Sequence, residues 1–451
     1  MYNKIKQIQQ TDKRESKSLK GEILFYKKLR IEKNSITAIT GSGGKTSLMF
    51  RLAEELSLKG KVLITTTTKI FAPDENQYEN LFLFNNMERE NLKGKGKNID
   101  ILGSEIKEGK LFSPSEKEIF DLKEYYDYII YEADGSKQKM MKFWRDDEPC
   151  ILPYTDKIIG VANIKVLGKS FSEENVHRYN MYIDNNKIYY KEDRNKEIID
   201  KNILKSYLQN GDFFKNAPEK AENIFFLNGV ETENEVLTAF DFSKEIKNFV
   251  FGSVKENKLY SPKEISAVVM GSGESKRFGS NKLLKKINGV PMIEILLKKL
   301  SELPFKKIIV TYKDREIFDI CKKYPVIPVK NERYFLGQSE SIKLGTAYIE
   351  NEDMIFFTGD MPFLTVDTIK KIISKLWENS CITIPCVKEK RFSPVAFPNR
   401  YKEELMKLSG DTGGREIIKK ENINSLNFVK FNSKREFIDI DTEEEFEKIE
   451  R

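Results

Sequence analysis

The chain has 451 residues, 39% hydrophobic and 33% charged, with 77 Lys and Arg against 70 Asp and Glu for a net charge of +7. That length exceeds one ordinary core and points to roughly two or three domains. The thinly spread charge excludes nucleic acid as a partner and suits small anions such as nucleotides, and the absence of a long apolar run or an apolar N-terminal core excludes a membrane helix and a secretory signal.

A cytoplasmic protein with reduced thiols is expected, because Cys150, Cys321, Cys381 and Cys386 show no paired spacing. The single histidine, His177, argues against His-rich metal sites and His-based general-base chemistry. In chain order, residues 1–20 read as a polar lead-in. Ile36–Thr40 reads as a strand, followed by a helix from Lys45 to Leu58 and strands at Lys61–Thr66 and Tyr126–Tyr131. Asp74–Lys97 reads as a largely polar surface excursion around the short apolar run Leu81–Phe84. Strands follow at Lys157–Ala162, Asn223–Leu227 and Phe249–Phe251, then a linker within Gly252–Lys263. A second series has strands at Ile265–Met270, Lys307–Thr311, Val326–Val329, Met354–Thr358 and Cys381–Pro385, with a helix starting near Pro291. Strands alternating with helical patterns predict an α/β class with mainly parallel sheets. The expected division is residues 20–252, a linker 253–263, and residues 264–451.

The first Gly-rich turn joins a strand to a helix. Gly41, Gly43 and Gly44 let backbone N–H groups approach phosphate oxygens, Lys45 can reach β/γ-phosphates, and Thr46 can ligate Mg²⁺. ATP or GTP is the expected ligand. The spacing departs from the standard phosphate loop, since Ile39 stands where that form needs Gly. Glu132 and Asp134 end a later strand, where a carboxylate can hold Mg²⁺ or orient water. The hydroxyls of Thr65–Thr68, Thr67 among them, and Lys69 either face the nucleotide or serve as strand formers. Gly-Ser-Gly-Gly-Lys-Thr, Thr-Thr-Thr-Thr-Lys, Tyr-Glu-Ala-Asp-Gly-Ser-Lys, Glu148-Pro-Cys-Ile-Leu-Pro and Val176-His-Arg occur in this order. This set resembles the selenium-dependent molybdenum hydroxylase accessory family (YqeC type). Met140-Met-Lys-Phe-Trp departs from the Pro-containing segment expected there. The resemblance implies a P-loop-like three-layer domain and a role in maturing a selenium-dependent molybdenum hydroxylase, which would be its protein partner.

The second Gly-rich turn follows the strand at Ala267. Gly271, Ser272, Gly273 and Ser275 can cradle phosphates, while Arg277 and Lys282 can neutralise charge that develops in flight. Asp360 ends a later apolar strand and can hold Mg²⁺. Gly273, Ser275, Arg277, Gly279 and Lys282 resemble the molybdenum-cofactor nucleotidyltransferase family, its cytidylyltransferase (MocA-like) branch in particular. The segment from Asn331 through Gly337 and Ser341 fits that family's base-and-ribose segment, and Ser393-Pro-Val-Ala-Phe and Gly410-Asp-Thr-Gly-Gly-Arg its acceptor side. Asp439-Ile-Asp-Thr fits the closing motif. The resemblance implies a Rossmann-like nucleotidyltransferase domain of the nucleotide-diphospho-sugar transferase type. It also implies CTP, less so GTP, as donor and a molybdopterin-type cofactor as acceptor, with Asp360 and Asp441 around one Mg²⁺. The loop before Pro394 lacks the Gly-His pair frequent in the family. A sugar- or polyol-phosphate nucleotidyltransferase is the competing reading for this half. For the first half it is a nucleotide-gated cofactor chaperone.

Overall fold

The computed structural model describes residues 24–83, 99–184, 198–273 and 281–440, with Glu444 and Phe446 beyond them. The chain divides into two compact units between Ser261 and Pro262.

The first unit is built on a nine-stranded sheet. Its spatial order is Lys258–Tyr260, Phe249–Ser253, Glu222–Asn228, Lys157–Asn163, Ser35–Gly41, Tyr128–Glu132, Val62–Thr66, Ile99–Gly103 and Asn80–Leu83. Neighbours run parallel except at the Lys258–Tyr260 edge. Strand Ser35–Gly41 is buried along its whole length, as a strand covered on both faces must be. It lies between Lys157–Asn163 and Tyr128–Glu132, with Ile39 level with both Ile159 and Glu132. The chain therefore crosses to opposite sides of this strand, and the crevice at its carboxyl end is where α/β sheets bind ligands.

Helix Lys45–Ser57 follows directly. Leu48, Met49, Leu52, Ala53 and Leu56 recur at helical spacing and are buried in the core around Phe25, Ile64, Ile130 and Phe226. Gly44 precedes the helix at φ 130°, where a Cβ would stand 2.1 Å from the Asn228 amide nitrogen. Only glycine fits that position.

The second unit carries an eight-stranded sheet. Its order is Ile327–Lys330, Ile308–Tyr312, Ile265–Gly271, Asp353–Thr358, Val395–Phe397, Ile382–Val387 and Lys390–Arg391, with Leu426–Phe431 also on Ile382–Val387. Ile265–Gly271 pairs in parallel with both its neighbours, which makes a second switch point. Val395–Phe397 is antiparallel to both its neighbours, so this sheet is mixed. Helix Val366–Asn379 is started by Thr365, whose hydroxyl accepts the Thr368 N–H, and ends at Ser380 in the left-handed conformation. It buries Ile369, Ile372, Ile373, Leu376 and Trp377.

The fold departs from the sequence expectations in three places. The 253–263 linker holds the edge strand Lys258–Tyr260, whose Tyr260 stacks on Phe251 at 4.9 Å. Its two apolar residues are too few to register as a pattern among charges. The run at Leu81 is the edge strand Asn80–Leu83, with Leu81 and Leu83 packed on the core. The strands Ile99–Gly103, Val395–Phe397 and Leu426–Phe431 are additions to the expected set. The lead-in 1–20 and most of the excursion after Leu83 lie outside the described residues. Among the described residues no helix is long and apolar enough to cross a membrane.

Leu52 is fully buried, so Leu52→Ala should cost about 2–5 kcal/mol. Urea denaturation followed by circular dichroism should show the loss as a lower transition midpoint.

Candidate functional site

In the first unit, the ends of the central parallel strands meet the glycine turn. Gly41 and Gly43 have φ of 92° and 78°. The Gly43 carbonyl accepts from the side chains of Asn163 at 2.7 Å and Asn228 at 3.1 Å. Each asparagine is the last residue of its strand. The Ser42 hydroxyl donates to the Met140 carbonyl at 2.9 Å. The turn is thus held from strands and loops far away in sequence.

Lys45 is buried and folds back on the turn. Its ammonium donates to the Gly41 carbonyl at 2.7 Å and lies 3.3 Å from Glu132 and 3.2 Å from Asp134. Burial pulls its pKa down, but the two carboxylates outweigh it and the net direction is up. Thr46 donates to Glu132 at 3.1 Å. Asp134 accepts the Gly41 N–H on both oxygens, at 3.1 and 3.0 Å, and the Trp144 indole N–H at 2.5 Å. Thr67 donates its N–H to the Glu132 carbonyl at 3.1 Å and its hydroxyl to the Cys150 carbonyl at 2.7 Å. Gly41, Gly43, Gly44, Lys45, Thr46, Glu132 and Asp134 are therefore assembled, with Thr67 alongside. Lys69 is not brought in. It is exposed on a separate three-stranded sheet, 4.3 Å over the Phe112 ring.

Sequence reasoning missed Asn163, Asn228, Lys142 and Trp144. The asparagines carried a signal, since each is a polar residue closing an apolar strand. Lys142 did not, because a lone lysine reads as solvated and its two-residue strand Met141–Lys142 is too short to show a pattern. It has no exposed surface, and its ammonium lies 3.1 Å from Asp134 and 3.3 Å from Glu148. Burial lowers its pKa, partly offset by Asp134. Glu148 is also paired with Arg178. Burial would raise its pKa, but Arg178 and Lys142 bring it down to about 2. The Glu148 and Arg178 motifs, far apart in sequence, thus serve one ion-pair chain.

In the second unit, Gly271, Ser272 and Gly273 close the central strand. The Ser272 and Ser341 hydroxyls are 2.7 Å apart, and the Asn331 amide donates to them at 2.9 and 3.2 Å. Gly337, at φ 103°, leads into helix Gln338–Ala347, and a Cβ there would stand 2.5 Å from the Gly410 carbonyl oxygen. The base-and-ribose segment and the Gly410 segment are locked together by this approach and by the Ser339 hydroxyl donating to Gly410 at 2.7 Å.

Lys282 and Asp360 form an ion pair at 2.5 Å. Asp360 is buried, and its other oxygen, Oδ1, has no hydrogen-bond partner among the described residues. A buried carboxylate oxygen left bare costs about 1–3 kcal/mol or more, so a carboxylate open on one side fits a divalent cation. Asp439 lies 3.4 Å from the Thr358 hydroxyl. Among the described residues no three His, Cys, Asp or Glu gather as a metal cluster. A cavity of about 710 Å³ opens beside this point, with Met270, Thr358, Arg391, Phe392, Arg415 and Asp439 in its lining. Ser275, Arg277 and Asp441 lie outside the described residues.

Comparison with known proteins places both halves. A model described as "YqeC protein" matches residues 37–180, and one described as "MobA-like NTP transferase domain" matches residues 267–425. The "Uncharacterized protein YqeC" of Escherichia coli (strain K12) is 30% identical over 212 residues, covering 43% of this chain and 75% of that protein. A "Probable molybdenum cofactor guanylyltransferase" of Natranaerobius thermophilus is 31% identical over 125 residues, covering 27% of this chain and 60% of that protein. The chain thus spans about three fifths of that relative. A solved nucleotidyl transferase from Methanothermobacter aligns over 42% of this chain and 97% of its own, at 22% identity and a TM-score of 0.38. The glycine turn, the strand-end carboxylate and the domain match define the second unit as a MobA-like nucleotidyltransferase. The chain as a whole belongs to the YqeC family, with that transferase domain joined to its YqeC domain.

His177 has its pKa pushed down to about 4 by burial first and then by Arg178, Lys142 and Lys137. Because the folded value lies below the unfolded one of about 6.5, folding favours the neutral ring. That stability is complete above the unfolded value and is lost as pH falls from there towards the folded one. Proton NMR of the single imidazole should give a midpoint near the low value. A midpoint close to the free-histidine value would remove the buried setting.

Proposed function

We propose that the second unit transfers a nucleotidyl group from CTP or GTP to a molybdopterin-type cofactor and releases pyrophosphate. The observation that carries this reading is the Lys282–Asp360 pair, with Asp360 Oδ1 lacking a hydrogen-bond partner among the described residues and the preceding Gly359 bonded to the Met270 carbonyl just before the glycine turn. The MocA-like motifs favour CTP, while the names of the curated relatives favour GTP.

Both reactants are anionic, so the chemistry is charge management. An acceptor phosphate oxygen attacks the α-phosphorus in line, a new P–O bond forms, and the bond to the β-phosphate oxygen breaks. The backbone N–H groups of Gly271–Gly273 meet the phosphates, with Lys282 and, from the sequence motif, Arg277 neutralising the leaving pyrophosphate. Asp360 and Asp441 would hold Mg²⁺, which when bound screens the two phosphates from each other. Asp439 stands at the cavity beside Thr358 and can support that end of the site. The acceptor phosphate is already ionised, so no general base is required. The acceptor lies in the cavity, where Arg391 and Arg415 supply positive charge. Ser272, Ser341 and Gly337 shape the base-and-ribose side.

The first unit serves as a nucleotide-binding accessory in maturing a selenium-dependent molybdenum hydroxylase, with ATP or GTP on the Gly41–Thr46 turn. Its buried lysine on paired strand-end carboxylates supports that reading. A chaperone that hands over cofactor under nucleotide control uses the same residues without chemistry of its own.

Asp360→Ala and Lys282→Ala should each lower pyrophosphate release by about 100-fold or more with circular dichroism unchanged. Wild-type turnover in either variant would sink the site assignment. Mass spectrometry of the product from molybdopterin, Mg²⁺ and mixed CTP and GTP should show CMP or GMP added. No addition from either nucleotide, or transfer to a sugar phosphate instead, would overturn the acceptor. Lys45→Ala should abolish nucleotide binding by the first unit and leave nucleotidyl transfer intact, measured by pyrophosphate release.

A further inference from the structure

The first unit gathers Lys45, Lys142 and Arg178 with Glu132, Asp134 and Glu148 in one connected set, with the exposed Arg145 at its edge, 3.5 Å from Glu148. Asp134 is the centre. Its Oδ1 meets Lys45 and its Oδ2 meets Lys142 and Trp144, while the Gly41 N–H reaches both. A backbone donor of the glycine turn and the turn's own lysine are therefore spent on a protein carboxylate.

We propose that Asp134 holds the place of a ligand phosphate on the Gly41–Lys45 turn, and that Lys142 is the positioning cation that retains Asp134 when Lys45 transfers to the ligand. This rests on the nucleotide-binding reading of the first unit.

The charge arrangement requires a second cation. Asp134 has no exposed surface, and a buried carboxylate stripped of its partner is strongly destabilised. If Lys45 were its sole cation, binding a phosphate would leave Asp134 uncompensated. Lys142 removes that obstacle from the opposite oxygen. It is itself fixed by the Gly135 carbonyl at 2.8 Å and by Glu148, which Arg178 balances in turn. Glu132 keeps the Thr46 hydroxyl when Lys45 leaves.

Trp144 reports on Asp134 directly, through its indole N–H. The chain has 2 tryptophans, Trp144 and Trp377, so indole ¹⁵N labelling gives two signals, and Trp144→Phe identifies one. The full chain carrying Asp360→Ala, which slows turnover in the second unit, is titrated with MgATP and MgGTP, and nucleotide still bound by the same chain carrying Lys45→Ala is subtracted as second-unit binding. Binding is measured in parallel by equilibrium dialysis. The Trp144 signal should move with saturation, and in Lys45→Ala it should be displaced before any nucleotide is added. Lys142→Gln should weaken nucleotide binding about tenfold or more, while Lys142→Arg stays within about threefold. Nucleotide bound in excess of that bound by the Lys45→Ala chain, with the Trp144 signal unmoved, overturns the exchange. A Lys142→Gln chain that binds like wild type overturns the role of Lys142. If Lys142→Gln does not fold, the wild-type indole shift decides the exchange and Lys142→Arg the cation. Absence of binding by either nucleotide removes the parent reading and the proposal with it.

Discussion

Each unit sets a lysine against a buried carboxylate at the end of a parallel strand: Lys45 on Glu132 and Asp134 in the first, Lys282 on Asp360 in the second. Taking such charges out of water is costly unless opposite charge and hydrogen bonds meet them closely. Here they are met because the first strand of each sheet has parallel neighbours on both sides. The carboxyl ends of these strands then converge on one crevice, beside the glycine turn that follows the strand.

The two crevices answer the same electrostatic problem differently. In the first unit every charge of the set has a partner inside the protein, and the chain of pairs runs from the turn to Arg178. In the second, Asp360 is satisfied on one oxygen, while the other has no hydrogen-bond partner among the described residues. On the proposed reading, the first arrangement rearranges to take a phosphate, and the second takes a cation at Asp360.

The glycines matter by position. Gly44 abuts Asn228, and Gly337 abuts Gly410, each with too little space for a Cβ and with a positive φ. Their contacts tie a turn to a strand or loop distant in sequence. The asparagines at the ends of Lys157–Asn163 and Glu222–Asn228 do the same for the Gly43 carbonyl. Geometry at the first turn is thus a property of the whole sheet.

Much of this is legible in the order of residues alone. The apolar strands at Ile36, Val62 and Ile265 stand out because burial keeps their sequences free of charges and mostly apolar or β-branched, and the glycine turns stand out because close backbone approach demands that residue. Short edge strands such as Lys258–Tyr260 escape, since three residues cannot show a period. Lys69 follows the same strand end but stands exposed at the start of a separate three-stranded sheet, over the Phe112 ring. By itself the sequence determined the residue types that can hold phosphate, the α/β class and the two halves. Tertiary structure alone decided that Lys142 is buried on Asp134, that Glu148 and Arg178 are partners, and that one oxygen of Asp360 finds no hydrogen-bond partner among the described residues. Charge pairing is set by distances between atoms remote in sequence, and no local pattern encodes those distances.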